Sequence, residues 1–131
     1  MTLMHRWFEE VWNQGRESAI DEMSFHDVPG HGLQGPDEKE VNGMEAFKAY
    51  YRHMRAALSD IHVQVEDVVS EGDLMVARCV VTAKHTGEGL GKQPKGNSIC
   101  FTGMTMARIK EGKIAEAWNN FDFLTMYQQM E

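Results

Sequence analysis

The residues with the most chemistry to offer stand near the end of the chain, in Gly112-Lys113-Ile114-Ala115-Glu116-Ala117-Trp118-Asn119-Asn120-Phe121-Asp122. Side chains of a strand alternate faces, so the pattern predicts Ile114, Glu116, Trp118, Asn120 and Asp122 on one side. That side combines an aliphatic anchor and a large aromatic with two carboxylates and an amide. Apolar walls with a few converging polar groups are what a small-molecule site needs. The plainer alternative is an edge strand whose Trp covers the core while its carboxylates face water.

Other groups capable of chemistry are scattered. His85 ends an apolar face formed by Met75, Ala77, Cys79, Val81 and Ala83, either as a structural histidine at the rim or as a hydrogen-bond donor to a bound carbonyl. Arg78 lies mid-strand on the opposite face, where charge is costly. It points either into a cavity or at a subunit interface. Tyr50 and Tyr51 occupy adjacent positions of a helix and cannot both face inward, so one of them supplies a phenol to the interior. His26, Asp27 and His31 cluster in one segment, but their spacing matches no established ligand set, and no metal centre is expected. The Gly-rich stretch 87–96 lacks the spacing and following helix of a phosphate cradle. Ser98 and Thr102 have no neighbouring His that would make either a nucleophile.

These side chains must be positioned by two helical segments and a run of strands. Leu3, Met4, Trp7, Phe8, Val11 and Trp12 repeat with helical spacing and stop at Gly15. A short helical turn over 17–23 carries Ile20 and Met23 inward, and 24–41 reads as a long irregular segment. Asn42, with Glu45 three residues on, predicts a capped helix start. Met44, Phe47, Tyr50, Tyr51, Met54, Ala57 and Leu58 form that helix's apolar stripe, and Ser59-Asp60 ends it. Alternating strands follow over 61–69, 74–86, 97–109 and 112–122, with hairpin signals at Glu71-Gly72-Asp73 and Lys110-Glu111-Gly112-Lys113. A short helix is expected over 124–130. Helices followed by antiparallel strands define an α+β class.

The composition sets outer bounds. The chain has 131 residues, a formal charge of -7, 42% hydrophobic and 25% charged residues. That is one domain's worth, 1–131, with scattered Lys and Arg that argue against nucleic acid. No apolar run approaches the length of a membrane span, and the first residues do not read as a secretory leader, so a cytoplasmic location is expected. Cys79 and Cys100 both fall in strand-like apolar runs and are expected to be buried free thiols.

Glu71-Gly72-Asp73 before a long central strand, then His85-Thr86-Gly87-Glu88, then Gly112-Lys113-Ile114 with Glu116, Trp118 and Asp122 form an ordered set. Together they resemble the SnoaL-like polyketide cyclases (ester cyclases) of the nuclear transport factor 2-like superfamily, over nearly the whole chain. The resemblance implies a cone-shaped α+β fold, with N-terminal helices packed on a strongly curved antiparallel sheet around a pocket, and a homodimer formed through the outer sheet face. It implies acid/base chemistry, an aldol-type cyclisation or a related reaction, on a small apolar carbonyl or ester compound without metal or organic cofactor. Asp122 matches the family's general acid/base on the last strand, and a partly apolar pocket would raise its pKa toward neutrality. His31-Gly32 would lie over the pocket mouth. Characterised members also use a His on the preceding strand, where this chain has Met104, Met106 and Arg108.

The site expected on this reading has Asp122, His31 and His85 as catalytic groups. Trp118, Glu116, Asn120, Tyr50 and Arg78 would contact substrate. Two other readings share the fold: an isomerase or epoxide hydrolase, and a non-catalytic ligand-binding or dimerising module.

Overall fold

A computed structural model describes residues 1–131. Helix α1, Leu3–Arg6, starts at a Thr2 capping box with His5 and continues without a break into a π-helical segment, Trp7–Asn13. Met4, Trp7, Phe8 and Val11 are its buried stripe. Gly15 ends the helix at φ +68°, a conformation glycine adopts at no steric cost. Helix α2, Ser18–Met23, buries Ala19, Ile20 and Met23. The irregular segment that follows contains a feature absent from the sequence reading. It is a short strand, β1, Gly30–His31, which pairs in parallel with the last strand.

Helix α3, Met44–Ala57, carries the expected stripe, with Met44, Phe47, Tyr50, Tyr51, Met54 and Ala57 all buried. Its start differs from the capping-box expectation. Gly43, at φ +84°, occupies the cap position without a side-chain cap, and Asn42 instead accepts a hydrogen bond from the backbone of Gly30 at 3.1 Å. Thus Asn42 fastens β1 rather than α3. The far end of α3 also differs: strand β2, Leu58–Glu71, begins at the residue after Ala57 with no connecting loop.

Strands β3 (Leu74–His85), β4 (Asn97–Lys110) and β5 (Lys113–Phe121) complete an antiparallel meander, with sheet order β1-β5-β4-β3-β2. The inner face buries Ala77, Cys79, Val81, Ala83 and His85 of β3 and Ile99, Phe101, Thr105 and Ala107 of β4. Register shifts in β2 and between β4 and β5 bend the sheet around the helices. Asn13 closes the join on the β2 side, donating to Val63 O at 3.0 Å and accepting from Val63 N at 2.6 Å. The Tyr51 hydroxyl donates to Val11 O at 2.8 Å, tying α3 to the first helix.

Helix α4, Phe123–Gln129, follows β5 directly and packs Met126 inward. No helix is long and apolar enough to cross a membrane. The cysteine expectation holds for Cys79 and not for Cys100, which is exposed on the outer face. Burial pushes the Cys79 thiol up to about 11.

Candidate functional site

Two aromatic clusters face each other across the interior. On the helix side, Trp7 and Phe47 lie 5.4 Å apart between ring centroids, and Trp12 meets Phe47 and Tyr50 edge-on at 6.3 and 6.4 Å. On the sheet side, Phe101, Phe121 and Phe123 stand 5.8 to 6.4 Å from one another. Between them is a cavity of about 70 Å³, walled also by Met54, Leu58, Val63 and Val81. Gly103 makes this wall possible: a Cβ there would come within 2.1 Å of the Phe121 ring, so only glycine lets that ring lie flat on the sheet.

Besides the indole nitrogens of Trp7 and Trp12, two side chains bring polar atoms to this cavity. The first is Asn119, whose amide is held by the Thr105 hydroxyl, which donates to Oδ1 at 2.9 Å, and by His31 O, which accepts from Nδ2 at 3.2 Å. The second is Tyr50, 6% exposed, whose hydroxyl forms no hydrogen bond within the protein. Burial pushes the Tyr50 phenol well above its ordinary value, with a smaller push from Tyr127, so it stays protonated and able to donate.

The cavity continues in both directions. Inward it shares Trp7, Leu33, Phe47 and Asn119 with a second space of about 50 Å³ lined by Thr105, Ala107 and Ala117. Outward it shares Tyr50, Met54 and Phe123 with an open mouth between the 32–38 and 89–91 segments. Tyr50 therefore stands at the outer neck and Asn119 at the inner one.

Most of the residues expected from sequence are elsewhere. For the residues of β5 the cause is one β-bulge. Ile109 pairs with Ile114, but Arg108 pairs with Glu116, so Ala115 is an extra residue in β5. The bulge reverses the simple alternation: Ile114 faces the core, and after it Ala117, Asn119 and Phe121 face inward. Glu116, Trp118 and Asn120 consequently lie on the outer face, beside Arg108, Met106 and Met104 in register. His31 joins them there. It stacks on Trp118 at 5.4 Å with its Nε2 3.0 Å from Glu116 Oε2, and Arg108 sits 5.9 Å from the Trp118 ring on that face.

Asp122 is exposed and caps α4, accepting from the Thr125 hydroxyl at 2.6 Å and from Thr125 N at 3.0 Å. Those bonds hold its carboxyl below the usual carboxylate range, the hydroxyl contributing most. The expected desolvation and raised pKa are absent. Arg78 is exposed on the outer face, paired with Asp67 at 2.5 Å, because its neighbours Ala77 and Cys79 take the inner positions. His85 is fully buried with neither ring nitrogen hydrogen-bonded, and it is not among the cavity walls. His26, Asp27 and His31 gather into no metal-holding group.

Of the residues singled out, Tyr50 alone lines the cavity. Asn119 was missed because period-2 reading put it on the other face. Its signal was present in the run Ala117, Asn119, Phe121, which is more apolar than its neighbours and therefore a better inner face.

The family profile described as SnoaL-like polyketide cyclase matches residues 2–130. The chain is 26% identical over 124 residues to the aklanonic acid methyl ester cyclase DauD of Streptomyces sp. (strain C5), covering 92% of this chain and 75% of that protein. The corresponding cyclase DnrD of Streptomyces peucetius is 25% identical, covering 92% and 83%. Among solved structures, IdmH of Streptomyces antibioticus superposes with a TM-score of 0.83 at 27% identity, covering 97% of this chain and 94% of that one. TsrD of Streptomyces laurentii gives a TM-score of 0.83 at 23% identity, a likeness of fold.

Proposed function

This chain belongs to the SnoaL-like polyketide cyclase family, and we propose that it is a small cofactor-independent enzyme closing a ring in a flat, apolar carbonyl or ester compound. The observation that carries this reading is the space between two aromatic clusters, with an unpartnered buried phenol at its neck. Facing aromatic rings favour a planar, conjugated guest over a flexible aliphatic one.

The chemistry follows from what such a guest requires. Ring closure by aldol addition begins when a base removes a proton from carbon beside a carbonyl, leaving negative charge on the enolate oxygen. A protonated phenol in a dry cavity stabilises that oxygen more in the transition state than in the ground state. The enolate carbon then adds to a second carbonyl, and the new alkoxide takes up the proton. Atoms are conserved, so the product is an isomer of the substrate.

The test is incubation with aklanonic acid methyl ester, the compound named for both related cyclases, following the appearance of an isomer of unchanged mass. Tyr50→Phe is expected to lower kcat by about 100-fold, the usual effect of losing one oxyanion donor. A second reading, a ligand-binding module without catalysis, is favoured by the lack of any carboxylate or imidazole in the inner walls. Quenching of Trp7 and Trp12 fluorescence by planar ketones and β-keto esters, none of which is turned over, would establish that module instead.

The same proposal includes a homodimer through the outer sheet face. Val69, Val76, Met106 and Trp118 are cross-strand neighbours in one row across that face. Exposed Met104 lies beside the row, and ion pairs Arg78–Asp67 and Arg108–Asp73 flank it.

A further inference from the structure

The proposed reaction needs a base that can reach a guest held between the aromatic clusters. The carboxylates singled out by sequence are on the outer face or cap α4, and His85 is sealed in the core. The mouth, about 1060 Å³ counted with its open side, is lined by one imidazole, His53, together with Tyr50, Tyr127 and Glu38 as the other titratable groups. His53 and Tyr50 are three residues apart on α3 and therefore share a helix face, one turn from each other.

The setting of His53 suits a reactive group rather than a structural one. It is half-buried, and its ring makes no hydrogen bond within the protein, in contrast to His31 on the outer face. Its ring lies against Gly89, at φ +122°, where a Cβ would stand 3.1 Å from Cε1 and 3.5 Å from Nδ1. Gly89 thus leaves room for the imidazole at the neck. Tyr50 brings an unpartnered hydroxyl to the same space, so an imidazole and a buried phenol converge where the cavity opens, with Glu38 and Tyr127 further out on the mouth's surface.

Resting on the reading above, we propose that His53 and Tyr50 are the proton-transfer pair of this site. Neutral His53 takes a proton from carbon beside the carbonyl. The C–H electron pair forms the enolate double bond, the carbonyl π pair moves to oxygen, and the Tyr50 hydroxyl donates to that oxygen. The imidazolium returns its proton to the new alkoxide or, when no ring closes, to the same carbon.

That last branch supplies a test independent of the natural substrate. In D₂O, the α-protons of 2-tetralone, a benzo-fused cyclic ketone, exchange for deuterium by this half-reaction, and proton NMR follows the loss. Wild type is expected to accelerate the exchange over buffer. His53→Gln is expected to lose at least about 10-fold of the acceleration, while tryptophan quenching by tetralone is unchanged. Tyr50→Phe should lose rate as well, again with quenching unchanged.

Wild-type acceleration retained in His53→Gln overturns the assignment and leaves the family-based function standing, and a loss in Asp122→Asn instead moves the base to the end of β5. Absence of acceleration by wild type overturns both. His53→Asn serves where the Gln variant fails to fold by circular dichroism.

Discussion

His85 occupies a position that a leucine could fill, and it leaves both ring nitrogens buried without hydrogen bonds. Stranded polar atoms of that kind cost more than the bonds they would make in water return. His85→Leu is therefore expected to raise unfolding stability by about 1 kcal/mol, read as a higher urea midpoint at constant slope. A lower midpoint would mean that the imidazole is satisfied in solution. Asp122 has the opposite character, a surface carboxylate with good partners. Its pKa is lower folded than unfolded, so its contribution is complete above the unfolded value near ~4 and fades as pH falls through the lowered one. The Tm difference between wild type and Asp122→Ala should accordingly be largest near neutrality and shrink from about pH 5 downward. A constant difference across that range would contradict the capping role.

Elements decide what could be foreseen. Helical spacing found the first helix and α3, because six or seven apolar residues at the right intervals outweigh any local detail, and Ile20 and Met23 sufficed for the short α2. Hairpins at Gly72 and Gly112 were legible for the same reason: their turns need positive φ, and Glu111 and Gly112 adopt it. The bulge at Ala115 was not legible, since one extra residue leaves composition unchanged while it moves every later side chain to the other face. Glu116, Trp118 and Asn120 were lost from the expected site through that single residue. Strand β1 was equally hidden, its existence depending on contacts with β5 across 87 residues of chain (Gly30↔Ala117). Gly103 shows how tightly the inner face is specified. Gly103→Ala would place a methyl within the Phe121 ring and is expected to destabilise by about 1–3 kcal/mol while weakening tetralone binding. Unchanged binding would mean that Phe121 has room to retreat.

At the scale of the molecule, the proposed guest site and the proposed dimer contact lie on opposite faces of one sheet. The clustering of His31, Trp118 and Glu116 on the outer face turns residues expected in the pocket into candidates for the dimer contact. Met106, central in the cross-strand row, is the place to test this: Met106→Glu should halve the mass measured by light scattering during gel filtration, without change in the circular dichroism spectrum. A wild type that already elutes at 14.9 kDa would remove the dimer from the proposal.

The junction of α3 and β2 carries a consequence for how such a protein can diversify. With no loop between Ala57 and Leu58, the helix bearing Tyr50 and His53 is continuous with the edge of the sheet and has no hinge. The opposite walls of the mouth belong to glycine-bearing segments at 32–35 and 89–91; Gly32 is fixed against the Asn119 backbone, whereas Gly91 has open space around it and leaves its segment free to vary. On the proposed mechanism, the proton-transfer pair and the variable wall of the mouth belong to different parts of the chain. Swapping those two segments between relatives should exchange ligand preference while leaving the phenol and imidazole in register.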